Sequence, residues 1–186
     1  MYSPLKHWKC LDGGKRVGIV GIGGLGQMGV RLAKAMGNTV TAISTSPHKE
    51  EAAREIGADN FLLSNNPESM KSAGRSLDVI LNTVSAEHDL TAMIGLLDRD
   101  GTIVQLGVVR KPHPINQVIF FRRVNLSGSL VGGMTDTQDC IDFCHKKNIK
   151  PAIEIVTADK IPEVYEKLQA KNDQIVRYVL DINKSK

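Results

Sequence analysis

The chain has 186 residues, of which 41% are hydrophobic and 24% are charged. This composition excludes a long disordered tail, a collagen and a coiled coil as the main architecture. The net charge is only +4, no basic run is longer than a pair, and 4% of the residues are aromatic, which argues against a nucleic-acid-binding surface.

Short apolar runs alternate with helix-length segments through the first half of the chain. The pattern predicts strands over 16–21, 39–44, 60–64, 77–84 and 102–108. It predicts helices over 24–36, 47–56, 66–73 and 89–97, with a turn at Asp98-Arg99-Asp100-Gly101 after the last of them. Strands alternating with helices indicate a doubly wound parallel sheet with helices on both faces.

The pattern becomes looser after Val109. It predicts a loop at 112–116, strands over 124–131, 153–156 and 176–182, and helices over 135–147 and 161–170. Thr135 or Asp136 is the expected N-cap of the first of these helices.

The chain contains three cysteines, at 10, 140 and 144, and its first residues lack the features of a secretory signal. We therefore expect reduced thiols and a cytoplasmic location. Cys140 and Cys144 share one helical face, with His145 next to them in sequence, but a zinc site needs about four ligands. Packing of the two thiols in the core is favoured over a metal site, and no metal ligand is predicted.

Residues 21–26 read Gly-Ile-Gly-Gly-Leu-Gly, a G-x-G-x-x-G spacing that follows a predicted strand and opens a predicted helix. Gly21 permits a tight turn, Gly23 lets the backbone approach a pyrophosphate, and Gly26 lets the helix pack against the strand. The amino end of the helix adds N–H donors for phosphate. The motif predicts dinucleotide binding; the alternative is a glycine-rich turn that only connects two elements.

The end of the second strand distinguishes between NAD and NADP. A site for NAD carries Asp or Glu there, about 20 residues after the motif. This chain instead has Ser44, Thr45, Ser46 and Lys49, with no carboxylate before Glu50. Hydroxyl and ammonium donors favour a 2′-phosphate, so NADP(H) is the predicted cofactor. The structural alternative, an ordinary helix start with Ser46 as N-cap and Pro47 after it, is compatible with this prediction.

These segments, together with others along the chain, closely resemble the cinnamyl alcohol dehydrogenase-like branch of the zinc-dependent medium-chain alcohol dehydrogenases. The further matching segments are Tyr-Ser-Pro-Leu-Lys-His-Trp at 2–8, Gly-Ala-Asp at 57–59, Asp-Val-Ile-Leu-Asn-Thr-Val-Ser at 78–85, 128–133, Lys-Asn-Asp at 171–173 and 177–182. The resemblance implies a Rossmann domain of about six strands and the NADP(H)-dependent, zinc-assisted interconversion of alcohols and aldehydes.

The resemblance also implies roles for individual residues at the cofactor. The pyrophosphate would face Gly23, Gly24 and Leu25, between Gly21 and Gly26 of the motif; the 2′-phosphate would bind Ser44, Thr45, Ser46 and Lys49; Thr83 and Val84 would border the cofactor; and Gly107, Val108, Ser129 and Gly132 would lie toward the nicotinamide.

The chain departs from the family in two respects. The family begins with a catalytic domain that holds the active-site zinc and a four-cysteine zinc site, and neither ligand set occurs here. We therefore expect an NADP(H)-binding domain with an N-terminal linking helix at 1–148, and at 149–186 a remnant of the segment that returns to the catalytic domain. Gln27 stands where the family often has histidine.

Two functions follow as hypotheses. The first is the cofactor-binding part of a zinc-type alcohol dehydrogenase, inactive by itself and binding no zinc. The second is a non-catalytic NADPH-binding module that acts through a partner chain. The resemblance also implies a homodimer formed through the strand at 124–131. The charge pattern and the short apolar stretches predict that neither nucleic acid nor a membrane is a partner.

Overall fold

The computed structural model describes residues 1–109, 117–169 and 177–183. The chain divides into two compact units, one at Met1–Ile149 and one that begins at Lys150. In the described residues the first unit contains α1 (Tyr2–His7), β1 (Arg16–Val20), α2 (Gly24–Ala35), β2 (Thr39–Ser44), α3 (Glu50–Glu55), β3 (Asn60–Leu63), α4 (Pro67–Ser72), β4 (Leu77–Asn82), α5 (Leu90–Gly95), β5 (Leu97–Gln105), α6 (Val118–Arg122), β6 (Asn125–Gly128) and α7 (Met134–Lys146).

The six strands of this unit form one parallel sheet in the order β3-β2-β1-β4-β5-β6. This is the strand order of a doubly wound dinucleotide-binding fold, so the predicted Rossmann architecture is confirmed. The direction of strand order reverses between β1 and β4. Ligands of such sheets bind in the crevice at this switch point, beyond the carboxyl ends of the strands.

The central strands β1 and β4 are largely buried on both faces, which explains their mostly apolar sequences. Val17 and Ile19 of β1 belong to a core cluster on the face covered by α1 and α2. Ile43, Ile80 and Ile103 belong to a second cluster, on the face covered by α4 and α5. Burial of both faces fixes the register of the central strands and therefore the positions of the turns that follow them.

One predicted turn is wrong. Asp98 to Gly101 do not close a helix but lie within β5, which begins at Leu97. Leu97 pairs with Leu77, and the register shifts before Val79 pairs with Thr102. Asp100 has a φ of +65°. The turn-forming residues therefore produce an irregularity inside a strand, because pairing with β4 continues on both sides of them.

Two further predictions differ from the structure near β6. The strand predicted over 124–131 is shorter, because β5 ends at Gln105 and offers no further pairing partner. The predicted N-cap Thr135 or Asp136 is wrong: Gly133 is the N-cap of α7, and its carbonyl accepts from the Thr137 hydroxyl at 2.9 Å.

The second unit contains β7 (Ile153–Val156), α8 (Ile161–Gln169) and β8 (Arg177–Leu180) in its described part. The two strands pair in parallel, Ile153 with Arg177 and Val156 with Leu180. None of the α8 residues is buried, and apolar side chains such as Ile155 remain exposed. The loop predicted at 112–116 and the start of the last predicted strand, Val176, lie outside the described residues.

Among the helices of the described ranges, none has both the length and the apolar content needed to cross a bilayer.

Candidate nucleotide-binding site

The turn after β1 brings two glycines into direct contact. Gly21 has a φ of +86°, and its N–H donates to the Ile43 carbonyl of β2 at 2.9 Å. A Cβ atom on Gly26 would lie 1.9 Å from the Gly21 carbonyl oxygen. No side chain fits at Gly26, so the first turn of α2 packs directly against the end of β1.

The middle glycine of the motif faces open space. Gly23 is the N-cap of α2, its backbone is extended, and it has no side-chain cap. A Cβ atom on Gly23 would meet nothing within 4 Å. The first N–H groups of a helix have no acceptor within the helix. The amino end of α2, at Gly24 and Leu25, therefore offers hydrogen-bond donors beside an open volume.

Gln27 carries a buried donor one turn into α2. Its side chain is 4% exposed, and Nε2 has no hydrogen-bond partner among the described residues. A buried donor without an acceptor destabilises a protein by about 1–3 kcal/mol. The resemblance places this residue next to the pyrophosphate, where an amide can donate, but its burial carries no signal in the sequence.

The turn after β2 is rich in hydroxyl groups. Ser44 is buried, and its Oγ accepts from the Ser46 N–H at 3.1 Å. Ser46 is the N-cap of a short 3₁₀ turn at Pro47–Lys49, with Pro47 after it as predicted, although its side chain makes no capping hydrogen bond. This turn leads into α3. The nearest carboxylate, Glu50, is held by the Arg54 guanidinium at 2.8 Å.

The turn after β4 is tied to the turn after β1. The Thr83 hydroxyl contacts the Val20 carbonyl at 2.8 Å and the Gly21 carbonyl at 3.0 Å. A Cβ atom on Gly107, which follows β5, would lie 2.3 Å from the Val84 carbonyl oxygen. The turns after three neighbouring strands, β1, β4 and β5, therefore lie against one another at the carboxyl edge of the sheet. Val108 projects into solvent and is 70% exposed.

Ser129 and Gly132 line a cavity of about 230 Å³ together with Leu106. The remaining lining residues are Met1 to Pro4, Leu130, Val131 and, on α7, Asp136, Thr137, Cys140 and Ile141. The Ser129 N–H donates to the Gln105 carbonyl at 3.1 Å, which anchors this segment to the end of β5. The structure thus assigns Ser129 and Gly132 to a cavity, whereas Thr83, Val84 and Gly107 form the adjoining turns.

Charge at this cavity comes from α1 and α7. Hydrogen bonds from Ser3 and Lys6 hold the pKa of Asp136 below its usual range. Lys6 Nζ lies 3.1 Å from Asp136 and 2.7 Å from Asp139. Burial, together with the neighbouring Cys140, raises the pKa of the Cys144 thiol to about 11.

A metal site is not formed by the chain's donors where the structure describes them. No group of three or more His, Cys, Asp or Glu side chains in those ranges could hold a metal ion. Cys140, Phe143 and Cys144 are partly buried and pack against the core on the α1 and α2 face. These residues therefore do not fit the zinc that the resemblance implies for the family.

The sequence pattern of the zinc-binding dehydrogenases matches residues 24–146, which include the last three residues of the glycine motif and five of the six strands. The chain belongs to the zinc-binding dehydrogenase family. The part of this family that it matches is the cofactor-binding half, and the predicted membership of the cinnamyl alcohol dehydrogenase-like branch is confirmed.

Individual members of the zinc-binding dehydrogenase family match nearly the whole chain. Aldehyde reductase YahK of Escherichia coli is 44% identical over 182 residues, which are 97% of this chain and 52% of that protein. The structure of the Sorghum bicolor cinnamyl alcohol dehydrogenase SbCAD4 is 39% identical, with a TM-score of 0.93, over 100% of this chain and 53% of that one. The Helicobacter pylori enzyme CAD, determined in complex with NADP(H), is 33% identical, with a TM-score of 0.86, over 100% and 52%. The chain thus spans about half the length of the relatives it matches.

Proposed function

We propose that this chain is the NADP(H)-binding half of an alcohol dehydrogenase that interconverts alcohols and aldehydes by hydride transfer. The observation that carries the proposal is the turn after β2. Its residues 44–49 contain no carboxylate and include the possible phosphate donors Ser44, Thr45, Ser46 and Lys49. Glu50, the nearest acid, is engaged by Arg54. The H. pylori relative, whose structure holds NADP(H), supports the same cofactor.

The geometry at the end of β1 fits a dinucleotide. Gly23 leaves open space where a side chain would stand, and the N–H groups of Gly24 and Leu25 would donate to the pyrophosphate. Gln27 Nε2 is a buried donor without an acceptor, and a phosphate oxygen is the kind of acceptor that it needs. Gly21 and Gly26 would contribute by keeping β1 and α2 close enough to form this turn.

The remaining predicted residues would act on the other half of the cofactor. NADPH, when bound, supplies the hydride. Thr83 and Val84 would border the cofactor, and Gly107 and Val108 would flank its nicotinamide end. Ser129 and Gly132 would close the same end, beside the 230 Å³ cavity. The chain's own task in this proposal is to bind and orient the cofactor.

We assign the metal chemistry to a catalytic half that this sequence does not contain, because the donors in the described ranges do not fit zinc. On this proposal the chain alone has no dehydrogenase activity, and residues from 149 onward are the segment that returns to the catalytic half. The second unit has exposed apolar side chains, such as Ile155 and Ile182, which supports the proposal that this surface packs against the catalytic half. The same lack of a fitting metal site favours the second candidate function, an NADPH-binding module acting through a partner chain.

A homodimer through the strand at 124–131 is also part of the proposal. β6 is the edge strand of the sheet, and Leu126, Leu130 and Val131 in and after it are exposed. An edge with unpaired backbone groups and apolar side chains favours pairing with a second copy across a two-fold axis. The cytoplasmic location expected from the free cysteines stays a prediction.

Titration of the purified chain with NADPH and with NADH tests the cofactor assignment. We expect NADPH to bind at least tenfold more tightly, about 1.4 kcal/mol, because the turn after β2 supplies donors for the 2′-phosphate. Equal affinities would overturn the preference for NADP(H). Binding of neither dinucleotide would overturn the proposed function.

A further inference from the structure

A buried asparagine lies between the proposed cofactor turns. Asn82 is the last residue of β4 and is fully buried. Its Nδ2 lies 2.7 Å from His88 Nε2 and 2.7 Å from Gln105 Oε1, and its Oδ1 accepts from the Val84 N–H at 3.2 Å. Both amide protons and the carbonyl oxygen of this side chain are therefore in use.

The partners of His88 define its tautomer. Its Nδ1 lies 2.8 Å from the Ala86 carbonyl oxygen, which can only accept, so Nδ1 carries the proton. Nε2 is then the unprotonated nitrogen and accepts from the amide of Asn82. His88 thus folds the segment after β4 back onto the end of that strand.

Gln105 extends the same network to the next turn. It is the last residue of β5, and its Nε2 donates to the Gly107 carbonyl at 2.7 Å and to the Val84 carbonyl at 3.3 Å. The peptide groups of Val84 are therefore held on two sides, the N–H by Asn82 and the carbonyl by Gln105. Fixed backbone dipoles at this position require both amide side chains to be in place.

We propose that Asn82, Gln105 and His88 are positioning residues for the nicotinamide half of NADP(H). The inference rests on the proposed function. In this sheet order the two mononucleotide halves of a dinucleotide lie on opposite sides of the switch point between β1 and β4. The 2′-phosphate turn follows β2, so the adenosine half lies over β1 to β3. The turns that the three residues hold, 83–84 and 107–108, follow β4 and β5 and therefore serve the other half.

Binding of two ligands can show whether the three residues position the nicotinamide half of the site or only stabilise the fold. NADPH occupies both halves of the crevice, whereas adenosine 2′,5′-bisphosphate carries only the adenosine half. Replacing His88 with leucine removes the acceptor for Asn82 and leaves a buried donor unpaired, so we expect the Kd for NADPH to rise about tenfold. The Kd for the bisphosphate should stay within about twofold of the wild-type value, because the turn after β2 is untouched.

A conservative variant supplies the matched control. His88→Gln keeps an oxygen acceptor at the distance of Nε2 and should restore most of the NADPH affinity. Gln105→Glu keeps the acceptor for Asn82 but loses the donor to Gly107, so it should weaken NADPH and spare the bisphosphate. If His88→Leu fails to fold, Gln105→Glu decides by the same criterion.

Three results would overturn the inference. They are unchanged NADPH affinity in the variants, an equal loss for both ligands, and a wild-type chain that binds the bisphosphate as tightly as NADPH. The inference is supported if the wild-type chain binds NADPH more tightly than the bisphosphate, and if the variants lose this additional affinity while their affinity for the bisphosphate is unchanged. Binding of neither ligand by the wild-type chain would overturn the proposed function and this inference together.

Discussion

Gly26 approaches Gly21 so closely that a Cβ atom on Gly26 would lie 1.9 Å from the Gly21 carbonyl oxygen. The obstacle is backbone at the end of a central strand, so it cannot rotate away. We expect Gly26→Ala to lower the free energy of unfolding by about 3 kcal/mol, in the range of severe packing strain. Urea unfolding followed by circular dichroism measures this loss.

Gly23→Ala is the matched control in the same motif. Its Cβ would meet nothing within 4 Å, and its φ of −103° suits any residue. We expect stability within about 0.5 kcal/mol of the wild-type value, together with weaker NADPH binding because the methyl group would stand where the pyrophosphate approaches. Similar stability losses in the two variants would contradict this distinction between the glycines.

Lys49→Ala tests the 2′-phosphate site. Loss of a charge-assisted hydrogen bond should weaken NADPH binding by about 1–3 kcal/mol and leave NADH binding nearly unchanged, because NADH lacks the phosphate. Isothermal titration with both dinucleotides measures the difference. Lys71→Ala removes an exposed charge on α4, 22 residues along the chain from Lys49, and should affect neither ligand. An equal loss for NADPH and NADH would reject the role of Lys49.

The predictable part of the fold follows from local patterns. Apolar runs such as 79–81 are buried in the sheet, so they mark the strands, and the glycine spacing marks the turn after β1. The prediction is wrong where pairing between distant strands, and not the local sequence, determines the secondary structure. The residues Asp98–Gly101 have turn-forming side chains, but Leu97 pairs with Leu77, and a contact over such a separation leaves no local signal.

The candidate site also has a part that the sequence predicts and a part that it does not. Its glycines and hydroxyls are contiguous, so their spacing indicates a function. The network of Asn82, His88 and Gln105 joins two turns over 23 residues of sequence, and nothing in the spacing of these residues indicates it. The one available signal is the polar Asn82 that directly follows the apolar run 79–81 at the carboxyl end of β4.

The metal content of the purified chain tests the proposal that zinc binds to the catalytic half and not to this chain. We expect no stoichiometric zinc and no alcohol oxidation, since the donors of the described ranges form no cluster that fits a metal. Elemental analysis and an NADP⁺ reduction assay measure both. One tightly held zinc per chain would contradict the expectation, and Cys140→Ser and Cys144→Ser would then show whether those thiols hold it.

Asp78 links the chain's stability to acid pH. Partial burial alone would raise the pKa of Asp78, but hydrogen bonds from Arg16 outweigh it and hold the pKa below its usual value of 3.8. The Arg16 N–H and guanidinium lie 2.8 and 2.6 Å from its two oxygens. A lowered folded-state pKa stabilises the fold above the unfolded value, and this contribution is lost as pH falls through the folded value.

We expect Asp78→Asn to lower stability at pH 7 by about 1 kcal/mol, a figure reduced for the partial solvent exposure of the pair. The difference from the wild-type chain should shrink below pH 3.8, where the wild-type carboxylate also becomes protonated. Asp12→Asn, at an exposed position, serves as the control. A difference that stays constant from pH 7 to pH 3 would show that charge at Asp78 is not the cause.

The edge strand β6 determines whether the proposed dimer forms. The Ser129 N–H points back to Gln105 of β5, and N–H groups alternate in direction along a strand, so the N–H of Leu126 points away from the sheet. Leu126→Pro removes this outward donor without removing a hydrogen bond to β5. We expect the dimer to dissociate to a monomer, as measured by light scattering with size-exclusion chromatography. Leu126→Thr keeps the N–H at the same position and should remain dimeric. A wild-type chain that is already monomeric, or a proline variant that stays dimeric, would exclude pairing through β6.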